Sequence, residues 1–356
     1  MNENNIKIDG CDIFYCLKKG VLDCDHLLVV FSGFGMHGNF TYDFAGKSLE
    51  IIPSNILWIK DIYKGNACYY LGSKMDFSFE KAIVKLIDKI CQDLNLNRDT
   101  VTLLGASKGG TASLYFGLKY NFKNIISSAP QIKIGSFVKK AHPDVYDHLI
   151  KSESDVEELD SLIDKNINAL ELDLDKNIYL FSSLVDEYET CEDLHKSLIK
   201  FKNFNHIQTD SQLVWQHNTI TAYNIPLIIS IICANSQGLS PSFGQDVING
   251  NRQKSSYNIE NVIREQRKRC EVIAELQSFR VDGDRIYPEG VAFVRGYEIQ
   301  GYGTIKKKLI LRDKRSSREY IFPIGSFLNK RFSKTYYSEV FIDYSAAGFT
   351  TMLRKG

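Results

Sequence analysis

Short runs of apolar residues alternate with segments of helical periodicity along the first two thirds of the chain. The runs lie at residues 27–31, 55–60, 101–104, 124–128, 177–183 and 204–208, behind a first apolar segment at 12–17. Runs with so few polar positions are typical of strands buried on both faces of a parallel sheet. Helical spacing of apolar residues separates them at 79–94, 109–120 and 192–200. The alternation predicts an α/β architecture, with a mostly parallel sheet, helices on both faces and residues 12–17 as an edge strand.

Three segments depart from this rhythm. Residues 131–176 are acidic and helix-prone, and we interpret them as a helical cap inserted into the α/β domain. The apolar segment 220–232 predicts a closing helix that Pro226 interrupts near its start. Residues 238–258 follow, rich in Gly, Ser, Asn and Gln over most of their length, which indicates a linker. The predicted α/β domain therefore spans residues 1–237.

The remaining part, residues 259–356, has a different pattern. Residues 259–276 show charged amphipathic spacing and predict one helix. Short alternating stretches broken by turn residues follow, at 286–290, 290–299, 304–312, 319–323 and 340–344. Many short strands with little helix are typical of a small β-sandwich-like domain.

Composition narrows the class of protein. The chain has 356 residues, of which 44% are hydrophobic and 24% charged, so it is globular rather than disordered. A net charge of +1 argues against a dedicated nucleic-acid binder. The longest strongly apolar run, 225–234, is about half as long as a membrane-spanning helix, and residues 1–7 show no signal-peptide core. We therefore expect a cytoplasmic protein without a membrane span.

The eight cysteines form no C-x-x-C pair, and none has a histidine at metal-ligand spacing. We expect free thiols, no metal site and no tightly bound cofactor.

The motif G-x-S-x-G occurs at Gly105–Ser107–Gly109, between a predicted buried strand and a predicted helix. This context is that of a nucleophile elbow, in which the serine lies at a strained turn above the sheet. The two glycines relieve crowding between the residues on either side of the serine. The sequence therefore predicts Ser107 as a catalytic nucleophile.

A serine hydroxyl needs a base, and the base needs an orienting carboxylate. Asp186 follows the strand at 177–183, and Glu187 and Glu189 are its rivals. His217 lies on a predicted loop after the last strand of the sheet. The order Ser107, Asp186, His217 is the order expected for this elbow. The competing histidines fit less well by position: 26, 37, 142, 148, 195 and 206.

Two backbone N–H groups are needed to bind an oxyanion. We assign one to Lys108, directly after the nucleophile, and the other to the loop after the strand at 27–31, with Phe34 as first choice and Gly35 as second. Gly33 and Lys108 are predicted to contact substrate. The Lys108 side chain has two interpretations, a cation for an acidic substrate group or a solvated first-turn residue.

Basic residues cluster in the predicted β domain. They are Lys306, Lys307, Lys308, Arg312, Lys314, Arg315 and Arg318. The cluster either attracts an acidic polysaccharide or blocks pairing at an exposed strand edge. Nearby tyrosines could stack on sugar rings or pack within the domain: Tyr287, Tyr297, Tyr302, Tyr336 and Tyr337.

The segments FSGFG (31–35) and GASKGG (105–110), with an SxxDE segment at 183–187 and WQHN at 215–218, resemble the α/β-hydrolase superfamily over residues 10–235. More narrowly, they resemble serine-hydrolase-like proteins of bacterial capsular polysaccharide biosynthesis and accessory secretory proteins that serve glycosylated adhesins. The resemblance implies O-acetylation of carbohydrate, and it carries over Ser107, Asp186, His217, Lys108 and the loop of residues 33–35. It does not cover the chain beyond residue 255.

These observations predict serine-dependent acyl transfer to a capsular or cell-surface polysaccharide, with acetyl-CoA as the acyl donor. Hydrolysis by water would make the protein a carbohydrate esterase or deacetylase with the same triad. A non-catalytic hydrolase-fold scaffold, associated peripherally with a capsule synthesis or export complex, is the alternative from another class. A peptidase or lipase fits less well, because the predicted cap is acidic.

Overall fold

A nine-stranded sheet organises the first of the two units into which the chain divides, Met1–Gly250 and Asn251–Gly356. The structure is a computed structural model. It describes residues 2–20, 24–35, 40–169, 172–186, 192–245, 247–250, 259–338 and 340–354.

The strand order in the sheet is β1-β2-β4-β3-β5-β6-β7-β8-β9. The strands are β1 (Glu3–Ile8), β2 (Cys11–Lys18), β3 (Leu27–Phe31), β4 (Asn55–Ile59), β5 (Val101–Ala106), β6 (Asn124–Ser128), β7 (Asn177–Ser182), β8 (Asn203–Thr209) and β9 (Val247–Asn249). The first two strands pair antiparallel, and β2 pairs antiparallel with β4. From β4 to β9 all pairs are parallel. The carboxyl ends of these parallel strands therefore share one edge, where the loops that follow them meet.

Helices cover both faces of this sheet. They are α1 (Ser78–Asp93), α2 (Lys108–Lys119), α3 (Ile134–Ala141), α4 (Pro143–Leu149), α5 (Asp155–Asp160), α6 (Leu162–Ile167), α7 (Glu192–Leu198) and α8 (His217–Asn235). Alternate residues of one strand enter different cores: Val29 packs with α1 and α2, whereas Leu28 and Val30 pack with α8. The predicted α/β-hydrolase architecture is confirmed, and α3 to α6 occupy the segment interpreted as a cap insertion.

Helix α8 is longer than the sequence pattern predicted. It begins at His217 and continues through Pro226 without a break. Among the described residues it is the one helix long and apolar enough to cross a membrane by length and composition. Its Ile228, Ile231 and Ile232 are buried in the core on one face of the sheet, so core packing accounts for part of its apolar character.

The segment 238–258, predicted to be a linker, contributes β9 to the sheet. Strand β9 pairs in parallel with β8 through Val247, Ile248 and Asn249. Residues 251–258 of the predicted linker lie outside the described residues.

The second unit contains a five-stranded antiparallel sheet and a separate two-stranded hairpin. Its elements are α9 (Ile259–Arg269), β10 (Val272–Asp282), β11 (Arg285–Val294), β12 (Lys308–Arg312), β13 (Glu319–Pro323), β14 (Gly325–Phe327), α10 (Arg331–Thr335), β15 (Gly348–Thr350) and β16 (Leu353–Arg354). Strands β10, β11, β14, β15 and β16 form the sheet, and β12 pairs with β13. The C-terminal β-structure predicted from the sequence is present.

Two sequence expectations fail in this unit. The helix predicted over 259–276 ends at Arg269, and from Val272 the chain is a strand paired with β11. Cross-strand pairing outweighs local helical spacing here, because intrinsic propensity is a weak preference. The strand predicted at 340–344 forms only an isolated bridge at Val340, although Val340, Ile342 and Tyr344 are buried.

The predicted basic cluster is not uniformly solvated. The Lys307 ammonium donates to Ala346 O at 2.9 Å, Gly348 O at 2.8 Å and Ser326 Oγ at 3.2 Å. Burial lowers the pKa of Lys307 to about 8. Arg312 pairs across the hairpin with Glu319. Lys307 is therefore a structural residue, whereas Lys306 and Lys308 are exposed.

Candidate functional site

Ser107 lies at the sharp turn between β5 and α2. Its φ of 55° and ψ of −124° are unusual for a residue with a Cβ, and such strain persists only where the surroundings enforce it. A Cβ at Gly105 would collide with Gly109 O, and one at Gly109 would collide with Phe31 O. A Cβ at Gly110 would lie 2.7 Å from Ser128 O, so this glycine lets α2 pack closely on β6. The turn has the geometry of a nucleophile elbow.

Asp186 and His217 meet at the carboxyl edge of the sheet. Asp186 follows the end of β7, where its N–H closes a turn on Ser183 O at 3.2 Å. Asp186 Oδ1 lies 2.9 Å from His217 Nδ1, and the two side chains are 7% and 5% exposed. A carboxylate accepts from Nδ1–H, so Nε2 is the ring nitrogen that can take up a proton.

His217 is the first residue of α8 rather than a loop residue as predicted. Thr219 Oγ1 accepts from the Gln216 N–H at 3.2 Å and holds this end of the helix. Ser107 and His217 both line a cavity of about 510 Å³, here called the Ser107 cavity. Of the three residues predicted for the triad, Asp186 and His217 are in direct contact, and Ser107 shares the lining of one cavity with His217.

Three of the competing histidines have structural partners. His26 bonds Ser54 Oγ at 2.7 Å and Thr102 Oγ1 at 2.8 Å, and burial lowers its pKa to about 4. His206 Nε2 lies 2.7 Å from Ser182 Oγ, and His195 Nε2 lies 3.0 Å from Gln245 O. The rivals Glu187, Glu189 and His37 lie outside the described residues.

The loop predicted to supply the second oxyanion donor passes beside the nucleophile. A Cβ on Gly33 would lie 3.7 Å from Ser107 Cβ. The Ser32 N–H donates to Tyr70 Oη at 2.6 Å, and the Gly33 N–H donates to Asp43 Oδ2 at 2.7 Å. Burial raises the pKa of Asp43. The Gly33 N–H is therefore bonded to Asp43 and is not the second oxyanion donor.

The backbone N–H groups of Phe34 and Gly35 are the remaining candidates for the second oxyanion donor. Within the described part of the chain, neither N–H has a hydrogen-bond partner. The Phe34 ring stacks on His142 with ring centroids 4.0 Å apart and meets Tyr69 edge-on at 5.6 Å. Because its ring is held on two sides, Phe34 is held in place in the wall of the cavity that Ser107 also lines.

The Lys108 side chain differs from both interpretations of it. It is 2% exposed, and its Nζ lies 2.7 Å from Asp61 Oδ2, whose side chain is also 2% exposed. The ammonium lies 5.3 Å from the Phe34 ring centroid and 4.9 Å from that of Tyr70. Lys108 is neither solvated nor an unpaired cation for an acidic substrate, because its ammonium is paired with the buried Asp61 carboxylate. Its backbone N–H remains at the first position of the helix, where no intrahelical acceptor exists.

Asp61 organises the loop that follows it. Its carboxylate accepts from the N–H groups of Cys68 and Tyr69 at 3.0 Å and of Tyr70 at 2.9 Å, and from the Cys68 thiol at 3.2 Å. Tyr69 and Tyr70 have φ values of 54° and 60°, which side-chain-bearing residues adopt rarely. A carboxylate bound by three amides compensates for that strain and fixes both phenol rings.

Gln131 is the site residue nearest to the nucleophile that the sequence analysis missed. Its Nε2 donates to Ser107 Oγ at 2.7 Å, and its Oε1 accepts from Tyr69 Oη at 2.8 Å. Its backbone N–H donates to Thr111 Oγ1 at 2.8 Å, and Thr111 Oγ1 donates to Gln131 O at 3.0 Å. The side chain is therefore a fixed hydrogen-bond donor to the serine oxygen.

The missed residues did carry a sequence signal. Asp61 follows β4 by two residues, and Gln131 follows β6 by three residues. A polar residue just past a buried parallel strand lies at the edge where ligands bind. The same rule found Asp186, and applying it to every strand would have added both residues.

The fold and this edge of the sheet define an α/β-hydrolase-fold protein with a serine elbow. The sequence model of the accessory Sec system GspB-transporter family matches residues 13–178, just under half of the chain. No curated protein matches the sequence significantly. The chain thus resembles accessory secretory proteins in the part that contains Ser107.

Solved structures extend the resemblance to capsule proteins. A histidine-to-alanine mutant of the capsule O-acetyltransferase of Neisseria meningitidis serogroup A, in complex with CoA, is 24% identical with a TM-score of 0.52. The match covers 65% of this chain and 94% of that one. The Glycosylation Associate Protein complex from Streptococcus agalactiae is 20% identical with a TM-score of 0.51, covering 64% of this chain and 45% of that one. The predicted resemblance to α/β-hydrolase-like capsule and accessory secretory proteins is confirmed.

Proposed function

We propose that this chain is a serine acyltransferase that moves an acyl group to a carbohydrate hydroxyl. The observation that carries the proposal is the buried Asp186–His217 hydrogen bond, together with the cavity that His217 and the strained Ser107 both line. A base oriented by a carboxylate beside a serine at an elbow is the arrangement that activates a hydroxyl for acyl transfer.

In the first step, Ser107 Oγ attacks the carbonyl carbon of an acyl thioester while His217 Nε2 takes the hydroxyl proton. The N–H groups of Lys108 and Phe34 bind the oxyanion, with the Gly35 N–H as the second choice for the loop donor. The carbon–sulfur bond then breaks, and His217 returns the proton to the leaving thiolate. Asp186 stabilises the imidazolium between these transfers.

In the second step, a sugar hydroxyl attacks the acyl-serine and gives its proton to His217. The bond from the acyl carbon to Ser107 Oγ breaks, and the proton returns to the serine. Water in place of the sugar gives hydrolysis, so an esterase would use the same residues. Acetyl-CoA is the proposed donor, supported by the O-acetyltransferase of the same fold that was solved with CoA.

The test is acylation of the purified full chain by acetyl-CoA, followed by peptide mass spectrometry. We expect one acetyl group on Ser107 and none in Ser107→Ala. A folded protein that neither acetyl-CoA nor a fluorophosphonate probe labels at Ser107 would contradict the proposal.

A second candidate function is a non-catalytic subunit of a glycoprotein glycosylation or export complex. The match of residues 13–178 to an accessory Sec family supports it. The labelling experiment separates the two, because a scaffold needs no reactive serine. Survival of export in cells that carry Ser107→Ala would favour the scaffold.

A further inference from the structure

A second cavity of about 510 Å³ lies next to the Ser107 cavity. We call it the Lys108 cavity, after the buried ammonium that lines it. The two cavities share three lining residues, Gly33, Phe34 and His142. Each volume is in the range of ordinary ligand pockets. Neither acylation of Ser107 nor the Asp186–His217 pair requires this second space.

The boundary between the cavities lies beside the nucleophile. Gly33 passes close to Ser107, since a Cβ added to it would be in van der Waals contact with Ser107 Cβ, at 3.7 Å. The stacked rings of Phe34 and His142 form the rest of the shared wall. The Phe34 N–H is the proposed oxyanion donor, so the carbonyl of an acyl group on Ser107 would lie at this junction. One reactant in each cavity could then reach the same carbon atom.

The chemistry of the Lys108 cavity favours a polyhydroxyl ligand. The Lys108 charge is balanced by Asp61 at 2.7 Å, and Asp144 adds a carboxylate. Burial and the nearby Lys108 charge lower the pKa of His142, which keeps its imidazole neutral and able to accept from a hydroxyl. The half-buried Asn66 side chain has no hydrogen-bond partner within the described part of the chain. Such a set of groups suits sugar hydroxyls and disfavours a phosphate-bearing ligand.

The Ser107 cavity differs in that its described lining contains no Lys or Arg. Its apolar wall is formed by Phe44, Phe137, Ala222 and Ile225, and its polar lining includes Asp43, Gln131 and Asn218. This wall suits the acyl group and the uncharged arm of a thioester donor.

We propose that the Lys108 cavity is the acceptor subsite, where Asn66, His142 and Asp144 bind the hydroxyls of a sugar. The assignment rests on the proposed function and specifies its substrate class. The sugar hydroxyl approaches the acyl-serine at the boundary between the two cavities, beside Phe34 and His142. It forms a bond to the acyl carbon, gives its proton to His217 and releases Ser107 Oγ.

The experiment separates acylation from transfer in the full-length protein. p-Nitrophenyl acetate acylates the enzyme, and the burst of p-nitrophenolate measures acylation. Water, methanol and a panel of methyl glycosides then compete as acceptors of the acyl group. The acetylated products are quantified. The variants are Asn66→Ala, Asp144→Ala and His142→Phe. The last keeps an aromatic ring against Phe34 and removes only the ring nitrogens. Asp147→Ala, an exposed residue on the same helix as Asp144, is the matched control.

We expect each of the three variants to lower transfer to glycosides by roughly fivefold to tenfold, the effect of losing one hydrogen bond. Burst amplitude and transfer to methanol should stay within about twofold in Asn66→Ala and Asp144→Ala, as should every property of Asp147→Ala. For His142→Phe, whose ring packs on Phe34, glycoside transfer is compared with methanol transfer in the same variant. Equal losses for glycoside and methanol, or unchanged glycoside transfer in all three variants, would overturn the acceptor assignment. So would a wild-type enzyme that forms the acyl-serine and acetylates none of the glycosides.

Failure of the underlying function gives a different result. A wild-type protein without any burst contradicts the acyl-serine itself. In that case, binding of the methyl glycosides to Ser107→Ala is measured by saturation-transfer NMR. Signals that disappear when Asn66→Ala or Asp144→Ala is added to that variant would still support a sugar site in the Lys108 cavity. Absence of any signal would overturn the assignment of a sugar site.

Discussion

Gln131 Nε2 donates a hydrogen bond to Ser107 Oγ over 2.7 Å from a side chain that is 4% exposed. The amide is held at its other end by Tyr69 Oη, and Tyr69 is itself held by the Asp61 carboxylate. A chain of hydrogen bonds thus runs from a buried ion pair to the nucleophile. Gln131 therefore holds the serine oxygen in position, and its contribution can be separated from that of the His217–Asp186 pair.

Gln131→Ala should slow acylation of Ser107 by roughly tenfold to a hundredfold, because the bond that positions the attacking oxygen is lost. Burst kinetics with p-nitrophenyl acetate measure this rate directly. Tyr69→Phe should change it in the same direction by less, since the amide remains but loses its anchor. An unchanged acylation rate in Gln131→Ala would show that the bond only orders the resting enzyme.

Ser107→Ala should abolish covalent acylation. Asp186→Asn should reduce turnover by about 10⁴-fold, because the His217 ring loses the carboxylate that fixes its tautomer. The measurement is steady-state kcat with p-nitrophenyl acetate. Near-normal turnover in Asp186→Asn would instead assign the orienting role to Glu187 or Glu189, which the corresponding glutamine variants would test.

Lys108→Met should destabilise the fold by about 3 kcal/mol, because it removes the only cation bonded to the buried Asp61 in the described structure. Urea unfolding followed by circular dichroism measures the loss. The matched control is Lys89→Met, which breaks the exposed pair with Asp93 and should leave the urea midpoint unchanged. Adding Asp61→Leu should not restore stability, because three amides then lose their acceptor. An unchanged midpoint in Lys108→Met would contradict this account.

The stability of the protein should fall as the pH drops from about 6.5 to about 4, in part because of His26. Burial lowers the pKa of His26 in the folded state to about 4, so the unfolded chain binds the proton first. Above pH 6.5 His26 is neutral in both states, and the free energy of unfolding does not depend on it. As the pH approaches 4, protonation of His26 in the unfolded chain lowers the free energy of unfolding by roughly 3 kcal/mol. His26→Gln removes the titrating group, and its unfolding free energy should vary less over this interval. Parallel pH profiles for the two proteins would exclude His26 as the source.

Charge reversal in the second unit should leave acylation intact and weaken binding of an acidic polysaccharide. The change is Lys306→Glu with Lys308→Glu, and it omits Lys307 because that ammonium holds backbone carbonyls. We expect roughly fivefold weaker heparin binding with a shallower salt dependence. The control is Lys7→Glu with Lys19→Glu, two exposed lysines of the first unit. Equal effects of the two double variants would show that only net charge matters.

The sequence was informative where the physical constraint is local. The apolar run of β3 has few alternatives to a buried parallel strand, and its predicted bounds match the structure. The Gly105–Ser107–Gly109 turn is local in part, because a Cβ at Gly105 would collide with Gly109 O, four residues away, whereas one at Gly109 would collide with Phe31 O on β3. Asp186 was found by a rule that is nearly local, since it follows a strand at the edge where such strands end.

The tertiary structure decided the features that depend on distant partners. Whether Lys108 is solvated depends on Asp61, which is 47 positions earlier in the chain and adjacent only after β4 and β5 enter one sheet. Gln131 reaches Ser107 only because Tyr69 and Thr111 fix it from two other segments. The strand at Val272 replaces a predicted helix because β11 offers it a complete set of backbone partners. The sequence by itself thus determined the fold class and the position of the serine turn at Ser107, because backbone sterics and apolar burial act largely over a few residues. Packing between remote segments decided which long polar side chains are buried, and the surroundings of the nucleophile depend on those side chains.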